Sequence, residues 1–431
     1  MIFVLLSDLN TVGLKNRCQS LEVNYFISSP LHSNLLGILS VRIAVRKVYR
    51  YYALSYPLFW LSGLYLIFCI PYFLWFLRSA AVRRNALTDG FLIFFLYQFV
   101  SLVIGFFWNS EFEYSRAPNI LHNMAVFLLI PAGYLMCARQ ELPQLMLNFS
   151  RRLLVFFFLV SCLVFIYTYS TKDALVLAYP WTDVYLSRVG FIGEITIPRV
   201  SLFAPYVNGT AILSFLAYSI YLHKLDESRG LRLLFGLLAL FIALFAGSRI
   251  VVFSIAILIF LSFVRNRLAL MVAFISLPIF VYLSLEMNFW SVVQSARSGS
   301  SETRLWIYQV GLALMYEVNF LTGLGVKPFI DVIPDYPVGS HSTFIGYVIK
   351  HGLLSLIFLF LWFLFVVKVA ADKISKFIFR KIGSISAIAT MPVALLVFMF
   401  EDIDAYELNA LLFGFLLYFW LREDSLNEKS A

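Results

Sequence analysis

The chain has 431 residues, of which 61% are hydrophobic, 18% aromatic and only 13% charged, with a mean hydropathy of +0.86. A soluble domain carries about 25% charged residues, so a water-soluble globular fold is excluded and the composition is that of a polytopic membrane protein. The net charge of +9 gathers beside apolar segments, where topology and anionic headgroups account for it and nucleic acid is not implied.

Residues 1–6 are too short for the apolar core of a signal peptide, and no Ala-x-Ala site follows them. In the N-terminal segment, 1–53, two readings stay open. Residues 23–41 contain no Asp, Glu, Lys or Arg and read as a weak span, while 41–51, with Arg42, Arg46, Lys47 and Arg50, read as a basic helix lying on an anionic membrane face. The remainder, 54–431, reads as one polytopic membrane domain. A span needs about 20 apolar residues. Candidates lie at 54–77, 89–108, 120–137, 153–169, 202–222, 233–245, 250–264, 268–285, 342–367, 385–400 and 408–421. The expected class is therefore an all-α membrane protein of 11–12 transmembrane helices, with a long loop between the span ending near 285 and the one starting near 342. No internal repeat is evident. Cys18, Cys69, Cys137 and Cys162 are scattered without CxxC spacing, and three of them lie in apolar helices, so they read as packing residues.

Lys and Arg set the orientation. If the loop 286–340 faces outward, the inward connections hold 18 basic residues and the longer outward ones hold eight. Loops 170–200 and 286–340 are thus expected to be extracytoplasmic. Polar residues gathered between spans are the first place to look for chemistry, and the outward side carries Arg199 before a span, Arg249 opening another, and Arg304 at the start of an amphipathic stretch. Arginine pairs bidentately with phosphate oxygens, and a pyrophosphate can engage two or three such forks. An arginine at a span terminus also snorkels to the interface with no ligand, but Arg249 stands outward against the positive-inside tendency. Arg304 follows Ser300-Ser301-Glu302-Thr303, a helix-start composition, and in a first helical turn it opposes the dipole unless an anion is bound. Asn208 lies where a side-chain amide needs a partner or a substrate.

His341 stands just before a span, followed by Ser342. Its imidazole suits proton removal from an attacking hydroxyl; the plain alternative is a residue beside a helix cap, satisfied by backbone. His351 reads as structural, and His122 and His32 have no polar company. Glu401-Asp402-Ile403-Asp404 contains an Asp-x-Asp pair, which can bridge a divalent cation to diphosphate. Its short outward loop reads instead as a solvated acidic turn, and neither a metal nor a cofactor is expected.

In chain order, Ile197-Pro198-Arg199 through Asn208, Ala246-Gly247-Ser248-Arg249, Thr303-Arg304-Leu305-Trp306, Gly323-Leu324-Gly325 and Gly339-Ser340-His341-Ser342 resemble the bacterial O-antigen ligase and O-antigen polymerase superfamily. The ligase motif of His, a small polar residue, nine residues and Gly is matched by His341, Ser342 and Gly352; its last position holds Ser355 instead of Gly, Thr or Tyr. The resemblance covers about 199–367. It implies a membrane glycosyltransferase of the bacterial cytoplasmic membrane that transfers a glycan, with inversion, from undecaprenyl diphosphate to a sugar hydroxyl outside the cytoplasm. His341, Arg304 and Arg249 would be catalytic, and Arg199, Asn208, Ser342 and Lys327 would bind substrate. The expected partners are the lipid-linked donor, a saccharide acceptor and membrane lipids, with a chain-length regulator and a flippase as associates and no nucleic acid. Polymerisation of lipid-linked repeats is the first expectation and transfer to lipid A core the alternative. A lipid-linked sugar transporter is the reading from another class, though the cations cluster at one face and no repeat of the transporter kind is seen.

Overall fold

A computed structural model of the chain describes residues 117–137, 142–179, 182–192, 195–202, 207–224, 227–264, 300–325, 342–380, 384–401 and 407–427, with scattered positions besides, chiefly 96–101. All of them belong to one unit, Ser55–Ala431. The segment 1–53, the span expected at 268–285 and most of those at 54–77 and 89–108 lie outside the described residues.

Long apolar runs have one way to satisfy their backbone away from water, which is the helix. Accordingly α1 covers Ala117–Cys137, α2 Leu142–Thr171, α3 Val207–Tyr221, α4 Arg229–Ala246, α5 Arg249–Phe263, α6 Ser300–Asn319, α7 Thr343–His351, α8 Leu354–Arg380, α9 Ile385–Phe400 and α10 Glu407–Asn427. Among the described residues, three helical stretches are long and apolar enough to cross a membrane: Pro143–Thr171, Arg229–Ala246 and Leu354–Phe379. The chain is a helical protein of membrane type. Helix α8 turns Ile357, Phe360, Leu361 and Phe363 to the surface, an apolar face of that breadth being suited to lipid. Helix α3 is the opposite case, buried on nearly every side and packed by α2, α4, α5 and α10. Phe215, Tyr218 and Tyr221 are its fully buried large side chains. Helices α1 and α10 run against each other, with Gly133 and Gly414 where one backbone meets the other, the small-residue contact that close helix packing in lipid favours.

The stretch after α2 is not irregular. Strands β1 (Val176–Tyr179) and β2 (Thr182–Tyr185) form one antiparallel hairpin, β3 (Ser187–Ile192) and β4 (Ile195–Val200) a second. In the second, Ser187 pairs with Val200, Arg188 with Arg199 and Val189 with Pro198. Ser187 pins this ladder: its hydroxyl is buried, lies 2.6 Å from Thr168 Oγ1 of α2 and accepts the Leu175 N–H at 3.0 Å. Two small hairpins thus stand on the helical body at the end of α2.

One expected span needs correction. The apolar run 342–367 does not form a single helix: α7 stops at His351, Gly352 takes φ 74° and ψ −174°, and α8 begins at Leu354. The cause is local. A side chain at Gly352 would collide with the backbone of Leu321, and φ in this region favours glycine. The C-terminal end of α7 is held by the turn after α6, where Leu324 N donates to Ile349 O at 2.9 Å and Gly325 N to Lys350 O at 2.8 Å. Met315, Leu324, Val338, Val348 and Ile349 fill the space between α6 and α7.

Candidate functional site

The ends of six elements meet around one residue, Glu401. Strand β4 delivers Arg199, and α3 places Asn208 in its first turn. Between α4 and α5 the chain reverses through Gly247 and Ser248. Helix α7 begins after its N-cap Ser342, whose hydroxyl accepts the Ile345 N–H at 3.2 Å. Helix α9 ends at Phe400, and the next residue is Glu401.

Glu401 is 3% exposed. Its Oε2 accepts Nδ2 of Asn208 at 2.8 Å and its Oε1 accepts the Ser248 hydroxyl at 2.9 Å. Its backbone carbonyl accepts both the N–H of Thr343 at 3.2 Å and the Thr343 hydroxyl at 2.6 Å. Arg199 joins from the strand: Nη2 donates to Asn208 Oδ1 at 3.2 Å and Nε to Ala246 O at 3.3 Å. The Asn208 amide therefore couples a guanidinium to a buried carboxylate, using its carbonyl toward one and its NH₂ toward the other. Burying a carboxylate is costly unless hydrogen bonds compensate, and here donors from α3 and the α4–α5 turn do so, while α7 is tied to the backbone carbonyl of the same residue. Ser248 is the N-cap residue of α5 yet makes no side-chain capping bond, its hydroxyl being spent on Glu401.

Gly247 permits the approach. With φ 76° it closes α4, and its N–H donates to Ala243 O and Leu244 O at 3.0 Å each. A Cβ there would stand 3.0 Å from Arg199 Nε. The N-termini of α3, α5 and α7 all point into this region, and each carries partial positive charge suited to an anion.

The structure brings Arg199, Asn208 and Ser342-Thr343 together, and sets Arg249, exposed, at the mouth of α5 beside Ser248. Arg304 is the fifth residue of α6, one turn in from the helix start at which the sequence reading places it, and half-buried; among the described residues no hydrogen bond or ion pair joins it to the Glu401 cluster. Lys327 is half-buried just past Gly325. His341 lies outside the described residues, immediately before Ser342 in sequence, as do Asp402 and Asp404. His351 is buried in α7 against the Tyr347 ring at 4.4 Å, with its carbonyl accepting the Tyr97 hydroxyl at 2.5 Å.

Glu401 is the residue that sequence reasoning missed, and the solvated acidic turn expected there is corrected at this position. It is a buried clamp. The available signal was its place next to the end of an apolar helix, where an acid requires a partner. Among the described residues no group of His, Cys, Asp and Glu is arranged to hold a metal ion.

The far end of α3 carries a separate polar knot. Lys224 Nζ pairs with Glu227 Oε1 at 2.6 Å and Tyr221 donates to Glu227 Oε2 at 3.0 Å. The Lys224 hydrogen bond holds the Glu227 carboxyl below its ordinary range. His223, buried just past the helix, is pushed down to about 3 by desolvation, with Lys373 adding repulsion.

No protein-family model and no curated protein matches the chain. Among solved structures, a chain described under "Structural coordination of polymerization and crosslinking by a peptidoglycan synthase complex" is similar at 15% identity and a TM-score of 0.38, over 76% of this chain and 96% of that one. A likeness at this level carries no functional argument.

Proposed function

We propose that the chain is a membrane-embedded glycan polymerase. It takes an undecaprenyl-diphosphate-linked glycan as donor and transfers it to an acceptor sugar hydroxyl on the extracytoplasmic face of a bacterial cytoplasmic membrane. The observation that supports this reading is the meeting at Glu401 of three stretches far apart in the chain: Arg199 with Asn208, Ser248 beside Arg249, and Ser342-Thr343 beside His341. Each belongs to the pattern through which the sequence resembles the O-antigen polymerases and ligases.

In this reading Arg199 and Arg249 grip the diphosphate at the mouths of α3 and α5, and Arg304 approaches from α6. His341 takes the proton of the acceptor hydroxyl as its oxygen attacks the anomeric carbon. The bond from that carbon to the diphosphate oxygen breaks, and the electron pair leaves with undecaprenyl diphosphate, whose charge the guanidiniums stabilise. Glu401 touches no reacting atom. It holds the helix mouths in register, as a second layer behind a reacting group must.

The test uses the full chain in nanodiscs with a synthetic undecaprenyl-diphosphate oligosaccharide. His341→Ala should lower transfer by about a hundredfold or more while donor affinity changes little, because a general base acts on the barrier and not on ground-state binding. Polymer of normal length from His341→Ala would remove the assigned chemistry. Movement of the lipid-linked sugar across a vesicle membrane without transfer would favour the transporter.

A further inference from the structure

Helix α6 has two unlike faces. Ile307, Gly311 and Met315, spaced at i, i+4 and i+8, are buried. A Cβ on Gly311 would stand 2.4 Å from Val338 and 2.5 Å from Ile349 of α7, so this side is fixed inward. The opposite side is apolar too. Leu305, Leu312 and Tyr316, at i, i+7 and i+11, form a stripe about 17 Å long, with Trp306 and Phe320 on its flank. All five are exposed, Leu305 by 57% and Tyr316 by 71%. A contiguous apolar surface of this kind marks a contact.

The end of α6 shows what makes that contact. Phe320 and Leu321 continue the exposed surface, and their carbonyls accept from the backbone of the next span: Leu353 N donates to Phe320 O at 2.9 Å and Leu354 N to Leu321 O at 3.4 Å. Leu354 opens α8, one of the helices long and apolar enough to cross a membrane, and Leu353, Leu354 and Ile357 are exposed there. The apolar side of α6 therefore joins the lipid-facing side of α8 at the level where that span begins. Helix α6 is not itself a span. Glu302, Arg304 and Glu317 fall within its 20 residues, and Gln309 and Glu317 stand exposed. An apolar stripe with polar breaks, carrying Trp and Tyr, suits the boundary between hydrocarbon and water, where indole and phenol rings concentrate.

We propose that α6 is an interfacial helix, whose Leu305–Leu312–Tyr316 stripe is seated in the lipid boundary of the leaflet where α8 begins. Its partner is the bilayer itself. The apolar side chains enter the zone between headgroups and the first acyl carbons, and Gln309 and Glu317 stay within reach of water. Because the inner face of α6 packs on α7, lipid on one side and α7 on the other hold the helix in place. The anchoring holds whatever reaction the chain performs.

The experiment places nitroxide labels by Leu305→Cys, Leu312→Cys and Tyr316→Cys in a cysteine-free full chain in phosphatidylcholine nanodiscs. Collisions with oxygen, which enters lipid, are compared with those of a water-soluble nickel chelate. Leu361→Cys on the exposed side of α8 serves as the hydrocarbon reference, and Lys172→Cys, exposed past the end of α2, as the water reference. At all three α6 positions the ratio of oxygen to nickel collisions should fall between the two references. A ratio equal to that at Lys172 would put the stripe in water, and one equal to that at Leu361 would put α6 inside the hydrocarbon; either overturns the proposal. Exclusion of both reagents would also overturn it, the cover then being another segment of this chain or a second copy. A second readout needs no label. Phosphatidylcholine brominated near its headgroup should quench the tryptophan emission of wild type more than that of Trp306→Phe, and equal quenching of the two would place Trp306 away from lipid and sink the anchoring.

Discussion

Glu401 shows how much one side chain can hold. Glu401→Ala would strand the Asn208 amide and the Ser248 hydroxyl, a buried unsatisfied group costing about 1–3 kcal/mol each. A loss of about 2–4 kcal/mol is therefore expected in denaturant or thermal unfolding of the detergent-solubilised protein. Glu401→Gln should lose less, since its carbonyl can still accept one of the two donors. A Glu401→Ala protein as stable as wild type would mean that the clamp holds nothing. At this scale the site was half legible. Arg199 and Asn208 could be singled out because a charged or amide side chain at a helix mouth has few bland explanations. Glu401 could not, because its partner Asn208 is 193 residues away and its neighbours Asp402 and Asp404 give the stretch the look of an acidic turn. Local composition reports what a side chain is next to in sequence and is silent on what folds over it.

The helices themselves followed from hydropathy. The segment expected at 385–400 is α9 to the residue, and those expected at 120–137 and 233–245 are α1 and α4 with a few residues added at the ends. Two features escaped. The hairpins escaped because four short strands in a polar stretch leave no trace in a scale that averages over a membrane thickness. The break between α7 and α8 escaped because one glycine barely alters the mean of an apolar run, whereas in space it decides where α7 begins and ends. Gly352→Ala tests this. The change forces a backbone conformation essentially confined to glycine, costing on the order of 1–3 kcal/mol, and pushes the new methyl against Leu321. Melting should drop by several degrees and, on the proposed function, transfer should fall, since α7 starts at the Ser342 cap beside the Glu401 cluster. Gly230→Ala is the matched control. An added Cβ there meets nothing within 4 Å, so melting and transfer should stay at wild-type levels. Equal behaviour of the two variants would show that the break is dispensable.

For the molecule as a whole, the charge bias across the spans predicts a sidedness that surface positions can test. Lys172 lies exposed just past the end of α2, beside the hairpins, and Gly230 lies exposed near the start of α4, by the Lys224–Glu227 knot at the other end of α3. In a cysteine-free background, Lys172→Cys should react with a membrane-impermeant maleimide in cells with a permeabilised outer barrier. Gly230→Cys should react only after the inner membrane is opened. The reverse pattern would turn the molecule over and put the Glu401 cluster on the cytoplasmic side, against the proposed function. The link between Asn208 and Glu401 also bears on how the protein is made. At about 5–20 residues per second of synthesis, the 193 residues between them take roughly ten to forty seconds to emerge from the ribosome. Throughout that interval the Asn208 NH₂ lacks its carboxylate, although its carbonyl can already accept from Arg199, so the growing chain holds an incomplete mouth that closes only when one of its last helices arrives. On the proposed function, a nascent chain arrested before residue 401 should therefore bind no lipid diphosphate.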